Sequence, residues 1–299
     1  MLENDRFFIP MVPPYINPKI LKDVQQYTDW IGFNLFELRH SKFYNSAKKK
    51  SIRDTFEIDD KKKIFLTSIT KDKELKRFYD KHNWIEEFKS DVRDFDVNMA
   101  MGPDWFSYKG GPKDNIQKAI ELNMNFLDLE IIVPTIRGTN FQEVKSFIEP
   151  FKALGRTLFV FTGREYLVNL ADRKRAQFEF FSLTSKMTRI EKIKLIVTGC
   201  NSPKLQESLP AVLGFAGLGW LIQSRQRRLI MGKTYKSIFD PKFSCVDPSC
   251  CASIDKKALA KPENDSVRAT HNLRKINANL KERSTFSQTC LPGFYGDIQ

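Results

Sequence analysis

The chain has 299 residues, of which 41% are hydrophobic, and 49 Lys and Arg against 36 Asp and Glu give a formal net charge of +13. The apolar content suffices for a large core, and no stretch approaches the roughly 18 uninterrupted apolar residues that predict a membrane span. The positive charge favours a polyanionic partner such as nucleic acid, because phosphates neutralised by Lys and Arg release counterions. A solvated lysine-rich surface is the alternative.

Cysteine content and the N-terminal sequence predict a cytoplasmic protein. Three of the five cysteines fall between positions 245 and 251, a grouping typical of metal sites in a reducing compartment rather than of a disulfide framework. The opening MLENDRFFIP lacks the basic start and long apolar run of a signal peptide.

Eight short apolar runs alternate with segments of helical length. The predicted strands are 7–12, 30–36, 64–69, 95–101, 130–136, 157–162, 193–198 and about 217–222. The predicted helices are 20–27, 73–90, 112–126, 140–153, 166–186 and 203–213, and the lysine-rich segment 41–63 is predicted to be an exposed insertion. Such alternation implies parallel pairing with right-handed crossovers.

Eight strand–helix units predict an α/β fold of the (β/α)8 TIM-like barrel type over residues 1–235, with an open doubly wound sheet as the alternative. Residues 236–299 are predicted to form a zinc-binding knuckle and a C-terminal helix packed on the barrel.

Candidate ligand-binding residues follow the predicted strands, since ligands of barrels bind at the carboxyl ends of the strands. Asp104 lies beside Trp105 and Tyr108, a combination suited to a flat heterocycle. Gly138 and Gly163 would let a ligand approach the backbone closely. Each of these residues could instead serve as a turn or a helix cap.

The densest basic cluster predicts a nucleic-acid-binding surface. It contains Arg225, Arg227, Arg228 and Lys233, with Trp220 close by. Guanidinium groups form bidentate contacts with phosphate, and an aromatic ring stacks on bases. A solvated helix face is the alternative.

A second cluster predicts a zinc site. Cys245, Cys250 and Cys251 precede His271, which opens an apolar-periodic helix. Grouped thiolates and an imidazole from a following helix are typical of closed four-coordinate zinc sites. Side chains of adjacent residues diverge, so Asp247 is an alternative ligand to Cys251. Inert buried thiols beside a surface histidine are the competing interpretation.

These motifs together resemble the tRNA-guanine transglycosylase superfamily, which includes archaeosine- and queuine-type tRNA enzymes and 7-deazaguanine DNA-modification transglycosylases. The resemblance covers most of the chain from about residue 95. The knuckle CVDPSC and the later HNL match the family's zinc spacing, with Asp247 at the place of the middle cysteine. MGPDW resembles the purine-binding aspartate segment, and PTIRG resembles P-x-x-Q-G with Arg137 replacing glutamine. FTGRE and TGCNSP resemble two further family segments.

The resemblance implies a barrel with structural zinc that exchanges guanine in tRNA or DNA for a 7-deazaguanine without ATP, a pentosyltransferase reaction. One aspartate attacks the anomeric carbon and another assists proton transfer, and the target base leaves the stack. It also implies that Asp104, Arg137, Gly138 and Gly163 bind the base.

Two departures from the family concern its catalytic carboxylates. The nucleophile position falls on Ala216, and the other family aspartate has as nearest counterparts only Thr67 and Ser68. Either another carboxylate acts, with Asp104 or Glu165 as candidates, or the chain is an inactive nucleic-acid-binding protein. The inactive protein would be the partner of an active subunit, and a homodimer is the other predicted assembly. A small-molecule metabolic barrel enzyme is the remoter alternative.

Overall fold

Short parallel strands alternate with helices through most of the chain. The computed structural model describes residues 6–68, 80–104, 112–138, 140–162, 173–209, 211–245 and 254–286. The predicted α/β class with parallel sheets is confirmed. Among these residues, no helix combines the length and the apolar character needed to cross a bilayer.

Eleven strands are present in the described residues. They are β1 Phe7–Pro10, β2 Trp30–Asn34, β3 Lys63–Thr67, β4 Met99–Met101, β5 Ile132–Val133, β6 Thr135–Ile136, β7 Leu158–Thr162, β8 Lys194–Thr198, β9 Gly214–Gly217, β10 Arg228–Met231 and β11 Thr234–Ser237.

Helices connect these strands and end the described chain. They are α1 Pro18–Gln25, α2 Leu35–Arg39, α3 Tyr44–Thr55, α4 Trp84–Asp94, α5 Pro112–Met124, α6 Phe141–Ala153, α7 Arg173–Arg189, α8 Pro203–Glu207, α9 Gly219–Arg225, α10 Lys256–Leu259 and α11 Asp265–Phe286, with a 3-10 turn at Pro262–Asn264.

Several helices start at a capping residue that the sequence places soon after a strand or turn. Asn17, Asn140 and Ser202 accept hydrogen bonds from backbone N–H groups in the first turns of α1, α6 and α8. Each cap satisfies a donor that the helix itself leaves unpaired. The chain therefore turns from sheet to helix at positions that local chemistry specifies.

Two parallel sheets contain nine of the described strands. One has the order β2-β3-β4-β5 and the other β1-β9-β8-β7-β6. A parallel bridge between Met11 and Gly32 links β1 to β2. At the other edge β5 and β6 are separated only by Pro134, whose carbonyl accepts a 3.0 Å hydrogen bond from Val160 of β7. The two sheets are thus joined at both edges.

Alternate strand residues face two different cores, as the period of two along a strand requires. One cluster, the inner apolar cluster, takes buried side chains from all the strands of the two sheets except β6: Ile9, Trp30, Phe65, Met99, Met101, Val133, Val160, Ile196 and Ala216. Intervening residues such as Phe33, Leu66 and Val197 pack instead in the larger core that includes the helices.

The last elements form a smaller unit against the sheets. β10 and β11 pair as an antiparallel hairpin, and Leu229, Ile238, Phe243 and Leu259 form a separate apolar cluster with Cys245 packed against it. α11 contacts β1, α1, α9 and β10. The predicted boundary between residues 235 and 236 falls inside β11.

Several predicted elements differ from the structure: among them, the described helix within the predicted 73–90 is Trp84–Asp94 and the strand predicted at 95–101 is Met99–Met101. The eighth strand is Gly214–Gly217, and the predicted 217–222 is mostly helix. The segment 41–63 is no exposed insertion, since it contains α3, which buries Ala47 and Ile52. The helix predicted at 203–213 ends at Glu207. Residues 73–79 and 166–172 of two predicted helices lie outside the described residues.

Candidate functional site

Buried polar residues collect where β2, β3, β4 and β6 end. Asn34 closes β2, and its Nδ2 donates to Thr67 Oγ1 at 3.1 Å and to the Ser68 carbonyl at 3.2 Å. Ser68 is 2% exposed, and its hydroxyl has no hydrogen-bond partner among the residues that the structure describes. Buried hydroxyls are normally paired, so the Ser68 hydroxyl is a candidate hydrogen-bonding group for a ligand at this end of the sheet.

Asp104 and Arg137, both predicted to bind a base, form a buried ion pair at the same end. Arg137 Nε lies 2.7 Å from Asp104 Oδ1, and the two side chains are only 7% and 6% exposed. Arg137 directly follows β6, and Asp104 follows β4 by three residues. Because β4 pairs with β5 and β5 runs on towards β6, the sheet order brings these distant positions together.

Asn123 of α5 fixes the loops that carry the pair. Its Oδ1 accepts from the Thr135 N–H at 3.1 Å and its Nδ2 donates to the Pro103 carbonyl at 3.3 Å. Thr135 Oγ1 in turn donates to the Gly102 carbonyl at 2.7 Å. Asn123 was not among the residues predicted from the sequence, because its only signal is a polar residue on the buried face of an amphipathic helix.

Gly138 occupies a left-handed backbone conformation with φ of 142°. A Cβ built there would lie 2.8 Å from the backbone N of Val144 at the start of α6. Close packing of the loop on α6 therefore accounts for this glycine without a ligand. Gly163 and the other predicted neighbours Trp105, Tyr108 and Glu165 lie outside the described residues.

The buried pair has a defined chemical capacity. A carboxylate accepts hydrogen bonds only, and a guanidinium only donates. The pair thus combines a buried acceptor with a buried donor, the two kinds of group that fix the orientation of a polar ligand. Ala216 is 1% exposed in the inner apolar cluster, so the position predicted for a nucleophile presents a methyl group.

The predicted basic cluster is exposed at the end of α9 and on the β10–β11 hairpin. Arg225, Arg227, Arg228 and Lys233 all reach solvent. Arg225 Nε lies 3.7 Å from Asp265, and Lys233 Nζ lies 2.7 Å from Glu207. Ion pairs this exposed are weak, so these cations remain available to a phosphate.

Trp220 does not belong to this surface. It is fully buried, and its indole N–H donates to the Met11 carbonyl at 3.3 Å. A ring enclosed in the core cannot stack on a nucleic-acid base. We therefore correct its predicted role from base stacking to core packing.

Cys245 and His271, two of the predicted zinc ligands, lie together. Cys245 Sγ is 3.8 Å from His271 Nδ1, although 26 positions separate them in the chain. Bond lengths of about 2.3 Å to sulfur and 2.0 Å to nitrogen would place two ligands of a tetrahedral zinc about 3.6 Å apart. The observed spacing fits a shared ion.

The orientation of the imidazole also fits a metal ligand. His271 is 2% exposed, and its Nε2 lies 3.0 Å from the Ile230 carbonyl. A carbonyl only accepts, so Nε2 carries a proton, and Nδ1 is the ring nitrogen that faces Cys245. Metal-binding histidines commonly donate their other N–H in this way.

The remaining predicted ligands, Asp247, Cys250 and Cys251, lie outside the described residues. Within the described ranges, no group of three or more Cys, His, Asp or Glu is placed to hold a metal. The pair at Cys245 and His271 is therefore the part of the predicted site that the structure describes.

No protein-family model matches the chain, and no curated protein is significantly similar to it.

Proposed function

We propose that this chain is a nucleic-acid-binding protein of the tRNA-guanine transglycosylase type, with a base pocket at Asp104 and Arg137. The observation that carries the proposal is the buried contact between these two side chains at 2.7 Å. Both positions were predicted because their segments resemble base-binding segments of that family, and sheet order alone brings them together.

The proposal includes a (β/α)8 barrel. β1 to β4, the continuous β5–β6 segment and β7 to β9 count as eight strands, joined at both edges. The inner apolar cluster receives residues from around this cycle, as the packed interior of such a barrel would. The base pocket then lies at the carboxyl ends of the strands, where barrels bind ligands.

We further propose structural zinc on Cys245 and His271, with Cys250 and with Cys251 or Asp247. The metal would hold the hairpin and α11 in one arrangement and supply no catalytic chemistry. Of the exposed arginines, Arg228 begins the hairpin, and Arg225 and Arg227 lie directly before it. A rigid unit of this kind would present them to the phosphates of tRNA or DNA.

A second candidate is a protein that binds nucleic acid but has lost base exchange, acting as the partner of an active subunit. The methyl group of Ala216 at the predicted nucleophile position favours it. An active enzyme would need a different carboxylate, and Asp104 is already engaged by Arg137.

Binding is tested by fluorescence anisotropy with labelled tRNA and duplex DNA over a salt series. The triple variant R225A/R227A/R228A should weaken binding and lower the salt slope by about one for each phosphate that is no longer neutralised. The control K49A/K50A/K61A removes three exposed charges elsewhere and should change little. Equal losses of affinity in both variants, or no binding at low salt, would contradict the proposal.

Exchange is tested with radiolabelled guanine and a 7-deazaguanine, in separate reactions containing tRNA or DNA. Incorporation that disappears in D104N but persists in the exposed control D128N would support the enzyme. Tight binding without incorporation in any reaction would support the inactive partner.

A further inference from the structure

A pocket of about 220 Å³ opens at the other end of the sheet from Asp104 and Arg137. It lies where β1, β8 and β9 begin and where α7 ends, and three cationic side chains line it: Arg6, Arg189 and Lys194. The rest of its wall is Thr188 and apolar residues, including the segment 211–213. It shares no residue with the proposed base pocket.

Arg6 places a fixed positive charge in the wall. It is 7% exposed, and its Nη2 donates to the carbonyls of Gln206 at 2.7 Å and Leu209 at 3.1 Å. Its Nε donates to the Val212 carbonyl at 3.3 Å, and the Phe215 ring lies 5.6 Å away. These contacts hold the guanidinium in one position beside the pocket.

Arg189 and Lys194 add two exposed positive charges at the mouth. Neither makes an ion pair with any residue that the structure describes, and no carboxylate is among the described residues lining the pocket. The neighbouring Glu191 is buried and bonded to Lys152 at 2.9 Å. Cations around one partly buried space repel each other, and an anion between them removes that cost.

We propose that this pocket binds the phosphoryl group of a small phosphate monoester. Arginine and lysine are the usual phosphate-binding side chains, and the apolar wall formed by Ile193 and residues 211–213 would contact the organic part of the ligand. The phosphoryl group has two sources, a free small molecule or the terminal phosphate of a nucleic acid. Both sources would present the same phosphoryl group to the cationic side chains of the pocket.

Isothermal titration calorimetry in a phosphate-free, low-salt buffer tests the proposal with inorganic phosphate, GMP and guanosine. Phosphate and GMP should bind and guanosine should not. R189A/K194A should weaken GMP binding at least about tenfold, whereas K49A/K61A, which removes two exposed charges outside both proposed sites, should leave it within about twofold. Both substituted pocket residues are exposed, so the variant should fold.

The two sources are separated with short oligonucleotides that carry either a 5′-phosphate or a 5′-hydroxyl. Tighter binding of the phosphorylated form, lost in R189A/K194A, assigns the site to a nucleic-acid end. GMP binding without that preference assigns it to a small molecule. Unchanged GMP affinity in R189A/K194A, or no phosphate binding at about 10 mM, would overturn the proposal while leaving the proposed nucleic-acid function standing.

Discussion

Asp104 and Arg137 place opposite charges where less than a tenth of either side chain reaches solvent. Each ion depends on the other, because an uncompensated charge in the interior is far more costly than a neutral side chain of similar size. Such a pair tolerates joint replacement better than the loss of one partner. The difference between replacing both residues and replacing one can be measured as a change in the free energy of unfolding.

R137M should lower the free energy of unfolding by about 3–5 kcal/mol, because it removes the positive charge beside the buried Asp104 carboxylate. Adding D104L should recover most of that loss. Urea unfolding of both single variants and the double variant measures the coupling. The exposed pair of Lys145 and Glu149, 3.7 Å apart, is the control, and K145A should cost no more than about 0.5 kcal/mol. Additive losses at Asp104 and Arg137 would contradict the prediction.

Cys200 should make the free energy of unfolding decrease at alkaline pH. Complete burial raises the pKa of its thiol to about 12, so the native protein keeps it neutral while the unfolded chain ionises it above about pH 8.5. The stabilisation that the neutral thiol gives the folded protein is therefore complete below that pH. As the pH rises towards 12, the free energy of unfolding falls by about 1.4 kcal/mol per pH unit.

Between about pH 8.5 and pH 10, wild-type protein should lose about 2 kcal/mol more stability than C200A. Urea unfolding at the two pH values measures the difference. Parallel losses in both proteins would show that the thiol does not carry this dependence.

At the scale of elements, a buried amide of α11 bonds to α9 and to the β10 region. Asn272 is fully buried, and its Nδ2 donates to the carbonyls of Trp220 and Arg228, both at 3.1 Å. Its Oδ1 accepts from the Ile230 N–H at 2.8 Å. One side chain thus satisfies three backbone groups of α9 and the β10 strand region.

N272A should lower the free energy of unfolding by about 2–5 kcal/mol, because it leaves these buried groups unpaired. N279A is the control on the same helix, since Asn279 makes one exposed 3.3 Å bond to the Gly232 carbonyl, and it should change stability by less than about 0.5 kcal/mol. Equal effects in chemical denaturation would refute the role given to Asn272.

The sequence predicted most strands because their apolar runs are long and clear. β7 and β8 lie within one residue of the predicted bounds. β9 was misplaced because GFAG carries little apolar signal, and Gly214 is small because the Phe7 ring packs on it. That contact joins distant segments and leaves no local pattern.

Candidate residues were recognisable individually, but their relations to one another were not. Trp220 next to arginines has the pattern of a stacking surface, and only its bond to Met11, 209 positions away, reveals a core residue. Asp104 and Arg137 were both predicted, yet their direct contact depends on strand order. The Arg6 pocket has no sequence signal, because it forms where three strand starts meet.

At the scale of the whole molecule, the proposed zinc site would couple metal content to the stability of the C-terminal unit. His271 lies on α11, which also packs on β1, α1 and α9. Loss of zinc would therefore loosen a helix that covers the first strand.

Elemental analysis should find one zinc per chain, which C245S and H271A lose and C200A keeps, because buried Cys200 lies outside the proposed ligands. Chelation should lower the melting temperature of wild-type protein and have little further effect on H271A. Metal-free protein with an unchanged melting temperature would exclude a structural metal.

The last described helix also has a consequence for synthesis on the ribosome. Ser266 donates to the Asp23 carboxylate, Asn277 Nδ2 donates to the Tyr27 carbonyl at 2.6 Å, and Arg274 lies over the Tyr27 ring. β1 pairs with β9, more than 200 positions later. β1 and α1 therefore complete these contacts only after β9 and α11 have been synthesised. Until then part of their apolar surface stays exposed, a condition that favours aggregation and lengthens with the time needed to complete the chain.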